Sequence, residues 1–149
     1  MNRVAITGHV ASVLRENIPD VHVAGEYSEG MQDTAIIIGI INERQVVGRG
    51  NGTLNYNFIT NKETIMYVTM LTIGITSYAP IDAESMELSA TVQRVINTKR
   101  GLFIQKSLNI HDIYECSPIS VPSMRENGKH KTWATQVNVD LNITEVVET

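Results

Sequence analysis

The stretch Trp133-Ala-Thr-Gln-Val-Asn-Val-Asp-Leu-Asn-Ile-Thr-Glu-Val-Val147 decides the fold. Trp133, Val137, Val139, Leu141, Ile143 and Val147 occupy odd positions, and Gln136, Asn138, Asp140, Asn142 and Thr144 occupy even ones. A period of two puts one set in a core and the other in water or a polar interface, so residues 133–147 form a strand. At about 3.3 Å per residue the strand spans roughly 50 Å, far beyond the usual five or six residues. Such a strand is expected to be bulged or to run past its own sheet onto a neighbouring subunit.

Working outward, Ser117 to Thr132 reads as a long loop leading into this strand, with Pro118 and Pro122 at one end and Lys129-His-Lys at the other. Residues 102–116 have strand composition. Before them, Leu88, Val92, Val95 and Ile96 make a narrow apolar stripe at helical spacing. Asp82 is the expected N-cap of that helix, Glu84 lies in its first turn, and Lys99, Arg100 and Gly101 close it. Residues 65–78 carry apolar side chains on both faces and read as a central strand. Ala35 to Ile41, short and β-branched, reads as an interior strand covered on both faces. Between these two, residues 45–58 read as a hairpin with its tip at 48–52, because Asn51-Gly52 suits a type I′ turn with positive φ. Residues 21–25 suit a short strand. Residues 3–16 place Ile6, Val10, Val13 and Leu14 on one helical face before Pro19. The expected fold is α+β, a single domain over 1–149. It has a mostly antiparallel sheet, two helices packed on one face, and an extended hairpin.

The 149 residues suffice for one core without staples. A formal net charge of −4 argues against general nucleic-acid binding, which needs a basic surface. The one cysteine, Cys116, excludes an internal disulfide framework and suits a reducing cytosol. No apolar run approaches the roughly 20 residues that span a bilayer, and the N-terminal residues lack a secretory pattern.

Few residues suggest chemistry. Gly48-Arg-Gly-Asn-Gly has glycines enough for a phosphate loop, but a strand rather than a helix follows it, which favours the hairpin tip. His111, Asp112 and Cys116 lie close in sequence, yet adjacent strand residues point to opposite faces, so a buried structural cysteine is the better reading. The four histidines show no metal-ligand spacing. No catalytic residues, cofactor or metal are expected, and the chain is not expected to be an enzyme. Arg125, Lys129, His130 and Lys131 form a basic cluster that reads as a solvated loop or as a docking surface for an acidic partner, with Trp133 beside it. Arg49 and Asn51 at the expected hairpin tip, with Tyr56 and Phe58 on its return strand, are the other candidate interface residues.

The order of elements resembles tail terminator proteins of tailed bacteriophages. It has an N-terminal helix, a β block, a strand ending in Tyr78-Ala-Pro, and a helix carrying Leu88, Val92 and Ile96. Ile110 to Cys116 and Trp133 to Val147 stand where the neck terminator branch has its penultimate and long C-terminal strands. The resemblance implies a structural virion protein at the neck, assembled in the host cytoplasm. It implies a homo-oligomeric ring, as a hexamer, that caps the tail tube and joins it to the head-connector proteins. DNA would pass through the pore without specific binding, and no membrane is involved. From residues alone, two alternatives stay open: a small homo-oligomeric ligand-binding domain or enzyme, and a neighbouring head-completion or connector protein.

Overall fold

A computed structural model describes residues 1–25, 34–46, 52–127 and 130–148, with the side chains of 52–54, 127 and 130 left undescribed. The elements are α1 (Arg3–Asn17), β1 (His22–Ala24), β2 (Ala35–Gln45), β3 (Gly52–Asn57), β4 (Lys62–Ala79), α2 (Asp82–Thr98), β5 (Ile110–Ile113), β6 (Ser123–Asn127) and β7 (His130–Glu148). Two single 3-10 turns, Arg100–Leu102 and Lys106–Leu108, stand between α2 and β5. The fold is α+β: one mixed, mostly antiparallel sheet with order β1-β2-β4-β7-β5, and with β3 beside β4 and β6 beside β7. Among the described strands only β1 against β2 is parallel.

Two long strands form the spine. β4 and β7 pair antiparallel without a break from Thr64↔Glu148 to Ala79↔Trp133. The expected bulge in the 133–147 strand is therefore not against its main partner, and the strand does not run past its own sheet. β7 instead extends to His130, where β6 pairs with it. The length is accommodated because β4 is nearly as long, at 18 residues. The bulges fall on the flanking strands, at Ile41 in β2, Leu54 in β3 and His111 in β5.

The expected 45–58 hairpin does not form. β2 and β3 both pair antiparallel with β4, β2 along Thr69 to Tyr78 and β3 along Lys62 to Met66. They follow each other in one direction along one edge of β4, while β7 holds its other edge. The true hairpin is β3–β4, turning at Phe58 to Asn61. Of the expected tip, residues 48–51 lie outside the described residues. The 117–132 loop is also partly sheet: Ser117 N and Ser120 N donate to the carbonyls of Asn138 and Gln136, carrying the chain along the β7 edge into β6.

Both helices pack on one face of the sheet over a single core. Asn2 caps α1, its Oδ1 accepting from Ala5 N at 3.0 Å, and Ile6, Val10, Val13 and Leu14 are buried. In α2 the N-cap is Ile81; Asp82 is already helical and accepts from its neighbour Ala83 N at 2.8 Å. From the sheet, Leu71, Ile73 and Ile75 of β4 meet Leu141, Val139 and Val137 of β7 across the ladder, all fully buried. The odd-position reading of β7 thus holds from Val137 to Ile143. It weakens at both ends, where Trp133 is half-buried and Val147 is 38% exposed. β2 buries Ile36 and Ile38 on the helix side; on its other face Ala35 is buried and Ile37 half-buried, whereas Ile41, displaced by its bulge, is 51% exposed.

Candidate functional site

The sheet carries its unusual features at its two ends. At one end the turn from β3 into β4 is shaped by two asparagines. Asn57 Oδ1 accepts from Ile59 N at 3.0 Å and Thr60 N at 3.3 Å, the local side-chain bond that makes Asn a turn former. Asn61 closes the turn in the left-handed region, φ 55°, which Asn tolerates better than most residues. Its Oδ1 accepts from Tyr56 OH at 3.2 Å. The Tyr56 ring meets Phe58 edge to face at 4.9 Å between centroids, a favoured aromatic geometry. The turn thus holds Phe58 and Ile59 outward, 85% and 93% exposed.

Behind this tip the β3–β4–β7 ribbon extends beyond the helical cover. Ile65 and Tyr67 lie on the helix side with Val147, and Met66 and Val146 lie on the opposite side. Tyr67 and Val147 are each 38% exposed and Val146 is 59% exposed. Apolar side chains thus stand on both faces of the ribbon, interspersed with Glu63 and Glu145 on one and with Lys62, Thr64 and Glu148 on the other.

At the other end, where β4 finishes, α2 and β4 form an open groove of about 430 Å³. Ala79, Ala83, Leu88 and Thr91 give it an apolar floor, and the Glu84 and Glu87 carboxylates stand on its lining. The same end carries the β6–β7 hairpin, where two of the four residues of the expected basic cluster, Arg125 and Lys131, are not brought together. Arg125 pairs across with Thr132 and Lys131 with Glu126, so the two cations project from opposite faces of the ribbon. Lys129 lies outside the described residues, as does the His130 side chain. Trp133 pairs with Met124 and Ala79 on the helix side and is half-buried. Arg49 and Asn51, too, lie outside the described residues.

The sheet face away from the helices carries a polar row on β7. Thr72 Oγ1 donates to Asp140 Oδ1 at 2.5 Å, Gln136 Nε2 to Asn138 Oδ1 at 2.8 Å, and Thr144 Oγ1 to Asn142 Oδ1 at 3.1 Å. From Ala134 to Thr144, and on β4 from Met66 to Tyr78, this strip holds amides, hydroxyls, apolar groups and one carboxylate, but no cation.

The residues singled out for chemistry are not assembled. His111 and Asp112 are exposed on β5, while Cys116 is 8% exposed with its backbone N–H donating to Asn97 Oδ1 at 3.1 Å. Burial pushes the Cys116 thiol up to about 11, with Glu115 adding to the shift and Arg100 opposing it. The thiol is therefore protonated at neutral pH, unlike an activated nucleophile. Among the described residues no group of three His, Cys, Asp or Glu side chains is placed to hold a metal. No helix among them is long and apolar enough to cross a membrane.

Ile59 and the α2 groove are surfaces that sequence reasoning missed. Asn57 and Asn61 flanking Phe58-Ile59 were the available turn signal, but the glycines at 48–52 outweighed it. No protein-family model matches the chain, and comparison with curated proteins finds no match.

Proposed function

We propose that this chain is a structural virion protein of a tailed bacteriophage, forming a ring at the head–tail junction that ends the tail tube and joins it to the head connector. The observation that carries the reading is the projecting β3–β4–β7 ribbon, with apolar side chains on both faces and Phe58 and Ile59 at its tip. Exposed strands and large apolar groups are normally hidden because they recruit other chains. A surface at one end of a subunit that fits a different surface on the next is a heterologous contact, and repeated heterologous contacts close into a ring when the rotation from one copy to the next divides the full turn. On the opposite sheet face the β4–β7 strip is polar and holds no cation, with Arg44 of β2 beside it at Met70, so a duct wall there offers few grips to the phosphates of sliding DNA. The partners of the ring are then further copies of itself, the tail tube and the connector, with no catalysis required.

The test is native mass together with negative-stain imaging of the purified chain. A hexamer of 16.5 kDa subunits, about 99 kDa, with a central pore of DNA width is expected. A monomer at all concentrations, or an assembly with no pore, rejects the ring. A porous ring that fails to bind purified tails in pull-down rejects the terminator role.

A further inference from the structure

The apolar tip and the apolar groove lie at opposite ends of the same long strand. β4 runs from Lys62, beside the tip, to Ala79, in the groove, over 18 residues. At about 3.3 Å per residue that is on the order of 55–60 Å. β4 is paired along both edges, so it cannot fold back on itself, and the tip of one chain cannot reach its own groove.

We propose that the Phe58–Ile59 tip of one copy docks in the α2–β4 groove of the next, head to tail. The proposal rests on the ring reading and supplies its interface. Three matches support it. The groove offers about 430 Å³ with Ala79, Ala83 and Leu88 as floor, space fit for one aromatic and one branched aliphatic side chain. The tip presents such a pair, almost fully exposed. One charge pairing is available as well: Lys62 stands at the foot of the tip, among Glu63 and Glu148, and Glu84 and Glu87 line the groove. Lys62 already meets Glu148 at 3.5 Å, but both side chains are more than half exposed. Such a pair contributes little and is readily exchanged for a groove carboxylate. The tip alone is smaller than the roughly 800 Å² per partner of a stable interface. The flanks of the ribbon, with Tyr67, Val146 and Val147, are the apolar surface available to extend it.

The experiment uses the full chain and light scattering after size exclusion. One variant is blind at the tip, Phe58→Asp with Ile59→Asp; the other has a blocked groove, Ala83→Arg. All three positions are exposed, so circular dichroism and melting should match wild type. The milder Phe58→Ser with Ile59→Ser gives the same readout should the aspartates perturb folding. Each variant alone is expected to fall from the ring to the monomer mass of 16.5 kDa. An equimolar mixture should form a dimer and stop, because the pair retains one working tip and one working groove that meet once. Lys62→Glu should loosen the ring, and Glu84→Lys with Glu87→Lys in the same chain should restore it. Variants that still form rings overturn the docking while leaving the ring reading intact. Monomeric variants whose mixture stays monomeric overturn the head-to-tail geometry. A wild type that is monomeric throughout overturns both.

Discussion

Gly74 lies beneath the side chain of Gln136: a Cβ at position 74 would stand 2.9 Å from Gln136 Nε2 and 2.9 Å from Ile41 Cγ2. That bare spot lets the Gln136 amide lie across the sheet and donate to Asn138 Oδ1 at 2.8 Å. Gly74→Ala must push aside the amide, which is flexible, and the Ile41 methyl, which is held by its strand. The expected cost is about 1–2 kcal/mol, typical of overpacking, or a Tm loss of roughly 2–8 °C in a chain of this size. Gly74→Val should cost more. A Gly74→Ala melt at or above the wild-type Tm would show that neither neighbour is needed where it lies.

The register of β7 separates two adjacent aspartate substitutions. Val139 is 1% exposed over the core, and Asp there would bury an unpaired carboxylate, so Val139→Asp should unfold the chain. Asn138 lies on the opposite face and accepts a hydrogen bond through its side-chain oxygen. Asn138→Asp keeps that oxygen and should shift Tm by only a few degrees. Similar melts for the two would place both residues on one face and contradict the pairing with β4.

Arg3 and Glu43 tie the start of α1 to β2 through two hydrogen bonds, Nε to Oε2 at 2.7 Å and Nη2 to Oε1 at 2.6 Å. The guanidinium bonds hold the Glu43 carboxyl below its ordinary range, against a smaller opposing effect of desolvation. A depressed folded-state pKa means the pair stabilises the fold above the unfolded carboxyl's pKa, and that this contribution disappears as pH falls through the folded value. The Tm gap between wild type and Glu43→Gln should therefore be steady from neutral pH down to about 5–6 and close below about pH 4. The gap should be small, since both side chains are exposed, and should narrow in salt. A gap that persists undiminished at acid pH would assign the effect to packing.

Cys116 can be tested chemically as a nucleophile. A thiol raised from 9.0 to about 11 carries about a hundredfold less thiolate at pH 8 than an unperturbed one. Alkylation by iodoacetamide should therefore be at least that much slower in the native chain than in urea, rising only in strong alkali. Fast native alkylation at neutral pH would restore Cys116 as a candidate for catalysis.

Much of this architecture is legible from period alone. The alternation of β7, the helical stripes of α1 and α2, and the strand character of β4 all report which side chains face a core, and faces are what hydrophobic patterns encode. Edge pairing is not encoded that way. Residues 45–58 read as a hairpin because Asn51-Gly52 is a strong local turn signal, yet β2 and β3 share one neighbour, β4, whose length no local pattern declares. Ser117 to Ser120 looked like loop because prolines interrupt it, although its serines and backbone amides still bond to β7. Of the basic cluster Arg125, Lys129, His130 and Lys131, the first and last separate for the same reason: cross-strand register, invisible in one strand's sequence, sends the two to opposite faces. The α2 groove needed two elements placed in three dimensions before Glu84 and Glu87 could be seen beside Ala79.

Beneath α2 a buried hydroxyl cluster joins helix to sheet, and its members should not be equivalent. Thr135 Oγ1 donates to Ser85 O at 2.8 Å and lies 2.9 Å from Ser85 Oγ and 2.7 Å from Ser89 Oγ. Ser85 Oγ has a second outlet, donating to Ser77 O at 2.9 Å, whereas Ser89 Oγ depends on Thr135. Thr135→Val keeps the shape and removes the hub, leaving the Ser89 hydroxyl buried without that partner. The expected loss is about 1–3 kcal/mol, the cost of an unsatisfied buried polar group. Adding Ser89→Ala removes the stranded hydroxyl, so the double variant should be less destabilised than the sum of the singles. Ser77 Oγ is the internal control: it is buried with no hydrogen-bond partner among the described residues, and Ser77→Ala should be close to neutral. Strict additivity of Thr135→Val and Ser89→Ala in urea melts would mean that the two hydroxyls do not share a hydrogen bond in solution.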